Sequence, residues 1–128
     1  MSVGADVSAY DDYAVHTAAE SGHLSIVKHL VEHGADARSR YDYALRRASH
    51  GGHLSVVKYL VDQGADIGAH NYQALRFASN HGHLPVVKYL VAQGADVGAC
   101  NYYSALWASR LGYTGIVEFL NSENHHKL

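Results

Sequence analysis

Residues 43 to 66 open with Tyr43-Ala44-Leu45-Arg46-Arg47-Ala48-Ser49-His50-Gly51-Gly52-His53-Leu54, continue through Val56-Val57-Lys58-Tyr59-Leu60-Val61, and close on Gly64-Ala65-Asp66. Leu54, Val57, Leu60 and Val61 recur at spacings of three and four, the one-sided stripe of an amphipathic helix. Gly64 lies just past the last periodic residue, where a glycine takes the left-handed conformation that closes a helix. Asp66 then offers a carboxylate to backbone N–H groups of the following loop. Upstream, Tyr43 to His50 form a shorter helical segment whose small-residue face of Leu45, Ala48 and Ser49 permits close approach. Gly52 parts the two segments in a turn short enough to demand an antiparallel pair.

The same stretch returns every 30 residues. Gly-Ala-Asp begins at Gly4, Gly34, Gly64 and Gly94, and Gly-His-Leu begins at Gly22, Gly52 and Gly82. Residues 41–70 and 71–100 share 20 identities in 30 gapless positions. One such unit is too small to hide its own apolar stripe and must stack on its neighbours. The expected architecture is an all-α solenoid, a single domain over residues 1–128 with units at about 8–37, 38–67, 68–97 and 98–121 and a polar tail at 122–128. In the fourth unit Ala105-Leu106 comes one place later than Ala74-Leu75, and Gly112-Tyr113-Thr114 replaces Gly-His-Leu.

The order of these motifs resembles the ankyrin-repeat family, from about residue 4 to residue 121. The first unit keeps the family histidine at His16 and the Ala-Ala pair at Ala18-Ala19. The family period is usually 33, and the three missing residues fall where the family builds a β-hairpin finger. Shortened loops are expected in its place. Units with Ala-Leu-Arg, Gly-His-Leu and Val-Val-Lys-Tyr-Leu also resemble those of ankyrin-rich proteins from giant DNA viruses of amoebae. The resemblance implies a non-enzymatic protein-binding module that grips its partner on a concave side made of loops and first helices.

Composition narrows the alternatives. Ten Lys plus Arg against twelve Asp plus Glu leave no basic surplus for general nucleic-acid binding. No apolar run approaches the roughly 20 residues of a membrane span, and Met1 to Val7 does not read as a secretory leader. Cys100 alone forms no internal disulfide, which fits a reducing, cytoplasmic location inside a cell or a host cell. Eleven histidines invite a metal, but His23, His53 and His83 sit at equivalent places in successive units. Stacked helices stand about 8–10 Å apart, too far for rings to share a zinc ion at about 2.1 Å. Their expected role is to bridge backbone groups between hairpins. No phosphate loop, His-Glu-x-x-His helix or nucleophile-base pair stands out, so no catalytic residue, cofactor or metal is expected.

Positions held by stacking should repeat, whereas positions facing a partner are free to vary. The loop and first helix vary most: Arg40 and Tyr41 against His70 and Asn71; Arg46 and Arg47 against Arg76 and Phe77; His50 against Asn80, with His81 beside it. Tyr72, Tyr102, Tyr103, Trp107 and Arg110 complete the candidate partner-binding set, rich in the residue types that dominate interfaces. Trp107 fits either core or contact, and the arginines favour an acidic partner segment. A second expectation is a spacer or fragment that self-associates end to end through its N-terminal edge near Val3 and Val7. The histidines further predict that stability falls with pH.

Overall fold

Among the described residues eight helices follow in order: α1 (Val3–Ser21), α2 (Leu24–Glu32), α3 (Ser39–Gly51), α4 (Leu54–Asp62), α5 (Ala69–Asn80), α6 (Leu84–Ala92), α7 (Val97–Arg110) and α8 (Thr114–His126). This computed structural model describes the backbone of residues 3–126 and the side chains of residues 10–98 and 103–123. Consecutive helices pair into four hairpins, and there is no strand among the described residues. The first helices α1, α3, α5 and α7 stack in one layer, and the second helices α2, α4, α6 and α8 in another. The architecture is thus an all-α repeat solenoid. Between the layers runs one continuous core, with Val15, Val27, Leu45, Val57, Leu60, Leu75, Val87, Leu90, Ile116 and Leu120 fully shielded.

Two glycines shape each of the first three hairpins, and Gly112 alone turns the fourth. At the tip, Gly52 has φ 75°, the His53 N–H donates to Ala48 O at 3.0 Å, and the Gly52 N–H donates to Ser49 O at 3.2 Å. This pair of bonds satisfies carbonyls that a helix end leaves orphaned. The second closure is alike: Gly64 has φ 95°, and the Ala65 N–H reaches Leu60 O at 3.1 Å. The expected loop carboxylates also act, since Asp36, Asp66 and Asp96 each accept from the backbone N–H two residues on, at 2.8–2.9 Å.

The shortened loop has an unforeseen backbone. Arg40, Tyr41 and Asp42 all lie at φ 55–61°, and His70, Asn71 and Tyr72 repeat this at 53–59°. Three consecutive residues with a Cβ in the left-handed region cost about 1–2 kcal/mol each. An arginine one turn later offsets that cost. The Arg46 guanidinium donates through Nε to Tyr41 O at 3.2 Å and through Nη2 to Arg40 O at 2.8 Å. Arg76 makes the same fork to Asn71 O at 3.1 Å and His70 O at 2.9 Å. The Arg38 guanidinium grips Asp42 at 3.0 and 3.1 Å, and Asp42 in turn accepts from the Asp66 N–H.

At the fourth unit the 30-residue register prevails over the displaced Ala-Leu pair. Ser104 and Ala105 take the places of Ala74 and Leu75, and Leu106 is turned outward. Slipping the helix by one residue would have misplaced Ala108 and Gly112, which keep the register. At the other end, Gly4-Ala5-Asp6 lies within α1 instead of forming a loop.

Candidate functional site

The bridging histidines come first because they join the units on which the site is built. The His53 Nε2–H donates to Glu20 O at 2.9 Å, and the His83 Nε2–H donates to His50 O at 3.0 Å. Each ring also covers a glycine of the preceding unit, Gly22 under His53 and Gly52 under His83, with Tyr113 doing the same over Gly82. These imidazoles are mortar between hairpins. Among the described residues no three His, Cys, Asp or Glu groups come together to hold a metal ion.

On the loop and first-helix side, a groove of about 570 Å3 opens across the first three units. Tyr13, Tyr41 and Tyr43 line it together with His16, Arg40, Arg46 and His70. The left-handed turn positions its rim, because it carries Arg40 and Tyr41 outward at the junction of loop and helix. Tyr41 is 77% exposed and meets the His70 ring edge-on at 5.5 Å. The Arg40 guanidinium has no hydrogen-bond partner among the described residues. Burial pushes the His16 imidazole below its ordinary pKa, with Asp12 opposing and Arg40 and Arg46 assisting. Its Nε2 sits 2.8 Å from Ser39 Oγ.

The candidate residues divide by what their polar atoms already do. Arg46 is only 8% exposed, its donors taken by two carbonyls and Gln73 and its guanidinium 5.1 Å over the Tyr43 ring. Arg76 is spent on the second left-handed turn and lies 5.8 Å over Tyr103. Arg47 pairs with Glu20 at 2.6 Å, and Tyr72 packs half-buried against the core. Arg40, Tyr41, His70, His81, Tyr103 and Arg110 remain exposed.

Trp107 is half-buried between Tyr103, at 6.1 Å, and Arg110, at 5.9 Å, so it is sealed in neither sense. The Tyr102 side chain lies outside the described residues, as does that of Cys100.

A second cluster lies where the second and third units meet. The His50 ring stands 3.9 Å from His81 and edge-on to Phe77 at 5.2 Å, with His81 and His83 stacked at 6.4 Å. Burial lowers the His50 pKa first, and the neighbouring charges of His81, Arg47 and His83 lower it further against Glu20. Asn80 buries an Oδ1 without a hydrogen-bond partner among the described residues. Comparison of units missed Tyr13 at the groove, since it weighed the last three units. Aligning Tyr13 with Tyr43 and Tyr103 would have exposed it.

A family model described as ankyrin repeats in three copies matches residues 2–71, and a single ankyrin-repeat model matches residues 70–102. The chain belongs to the ankyrin-repeat family. Ankyrin repeats are generally protein–protein interaction modules and a non-enzymatic fold. No curated protein matches this ankyrin-repeat chain. None of its described helices is long and apolar enough to cross a membrane.

Proposed function

We infer that this ankyrin-repeat protein binds another protein without catalysing a reaction, taking an extended acidic segment into the groove between Tyr13, Tyr41 and Tyr43. The observation that carries the reading is an exposed guanidinium, Arg40, with no hydrogen-bond partner among the described residues, held at the rim of an aromatic groove by a backbone turn that the fold is strained to make. Tyrosines bury much area at low rotamer cost, and an unpaired arginine recognises a carboxylate in bidentate fashion. His70 at the same rim adds a second donor. The likeness to units of giant-virus proteins extends the reading to a partner inside a host cell.

Titration calorimetry against a partner captured from the native cell tests it. Arg40→Ala with Tyr41→Ala should weaken binding at least tenfold, while Lys58→Ala on the second-helix face leaves it unchanged. The opposite pattern would place the interface on the other face.

A further inference from the structure

We propose that His50 and His81 form a two-imidazole site for a divalent transition ion of the copper(II) kind, bridging the second and third units. The pair lies at the opposite end of α3 from Arg40 and the groove. In the 30-residue register, the place of His50 is held by Glu20, Asn80 and Arg110 in the other units, and that of His81 by Ser21, Gly51 and Leu111. Neither place repeats, so stacking does not dictate what stands there. Across the three junctions the facing residues are Glu20 and Gly51, His50 and His81, and Asn80 and Leu111. Only the middle junction sets two nitrogen ligands face to face.

The surrounding contacts hold both rings in place. The His81 Nδ1–H donates to Phe77 O at 2.9 Å, which leaves the lone pair of the neutral ring on Nε2. An imidazole tied to a carbonyl through one nitrogen and bare at the other is the arrangement that metal-bound histidines adopt. His50 is fixed from two sides: its ring lies edge-on to Phe77 at 5.2 Å, and its main-chain O accepts the His83 Nε2–H at 3.0 Å. Neither ring nitrogen of His50 has a hydrogen-bond partner among the described residues. His83 supports the pair without joining it, since its ring centre is 6.4 Å from that of His81 and its Nδ1 lies against Gly52. Water fills the other coordination positions.

The ring separation selects the ion. Imidazole nitrogens suit borderline metals, with copper(II) first in the affinity order and right-angled in its preferred geometry. With nitrogens about 2.0 Å from the ion, two ring centres stand about 4.5 Å apart at a right angle and about 5.2 Å apart at a tetrahedral angle. The centres of His50 and His81 are 3.9 Å apart, with planes tilted by 47°. Copper(II) therefore asks the exposed His81 ring to swing out by roughly 0.6 Å, and tetrahedral zinc asks about twice that. His29 and His33 on α2, with centres 4.2 Å apart, offer a second pair. Both of those rings are exposed, and His33 caps the helix end, so an ion there must order side chains that no other unit holds.

Substoichiometric Cu(II) added to the 15N-labelled intact protein tests the proposal at pH 7.5, where a histidine of ordinary pKa is mainly neutral. Paramagnetic broadening of NMR signals falls off steeply with distance, so His50, Phe77 and His81 should fade first. Cu(II) in excess should also raise the melting temperature by roughly 5 °C or more, Zn(II) by less and Mg(II) not at all. His50→Asn and His81→Ser copy Asn80 and Ser21 of the same register, and circular dichroism verifies that they fold. Each should weaken Cu(II) binding at least tenfold in calorimetry, whereas His33→Ala should leave it unchanged. Broadening that starts at His29 and His33, or at His125 and His126, would overturn the proposal on the wild type alone. So would a thermal shift that survives both His50→Asn and His81→Ser, and a larger shift with Zn(II) than with Cu(II) would overturn the choice of ion.

Discussion

The His83 imidazole donates its Nε2–H to His50 O at 3.0 Å while its ring lies against Gly52, whose φ is 75°. Any Cβ at residue 52 would therefore strain the backbone and run into the ring. Gly52→Ala should destabilise the fold by roughly 3 kcal/mol, a left-handed backbone penalty plus overpacking. Gly112→Ala has the same left-handed backbone, φ 83°, but open space beside it, and should cost only about 1 kcal/mol. Urea midpoints of the two variants measure the difference.

Arg46 holds a turn that three left-handed residues would otherwise oppose. Arg46→Met keeps the buried stem but deserts Arg40 O and Tyr41 O, and should cost about 1.5–3 kcal/mol, the range for hydrogen bonds to charged groups. Arg46→Lys should recover less than half of that, because one ammonium cannot span two carbonyls as a planar fork does. Denaturation with an unchanged m-value isolates the stability term.

These turns mark where sequence reasoning stops. Hairpins, glycine closures, bridging histidines and the aspartate loop turns were all legible, because each rests on local spacing that repeats. The left-handed turn carries no glycine, and no composition rule announces Arg-Tyr-Asp at positive φ. Arg46 and Arg76 accordingly resemble contact residues in a sequence, although the fold spends them internally. Leu106 misleads in the opposite direction, an apolar residue whose neighbours suggest a shifted helix and whose side chain nevertheless faces outward. The groove itself depends on which side chains from three units converge, information that periodicity does not contain.

Tyr41 separates stability from binding. Its φ of 56° strains a bulky residue, whereas Asn71 holds the matching place in the next unit and asparagine tolerates that conformation. Tyr41→Asn should raise stability by about 0.5 kcal/mol, a fraction of the left-handed penalty. Affinity for an acidic segment should fall at the same time, since Tyr41 supplies much of the exposed aromatic rim. A variant that melts higher and binds less well carries both halves of this expectation; unchanged melting would mean that the strain is relieved elsewhere.

The histidines give stability a pH dependence of definite sign. His50 and His16 both titrate below their ordinary value of 6.5, His50 through burial and then His81, Arg47 and His83, and His16 chiefly through burial. Between the folded pKa and 6.5, the unfolded chain therefore holds more protons than the folded one. Stability is fully present above about pH 6.5 and is lost as pH falls through the folded-state values. Melting curves from pH 7.5 to 5 should fall with acidity, and His50→Asn, which copies Asn80 in the next unit, should flatten the slope by removing one of the two depressed groups. A wild-type melting temperature constant across that range would contradict the burial of both rings.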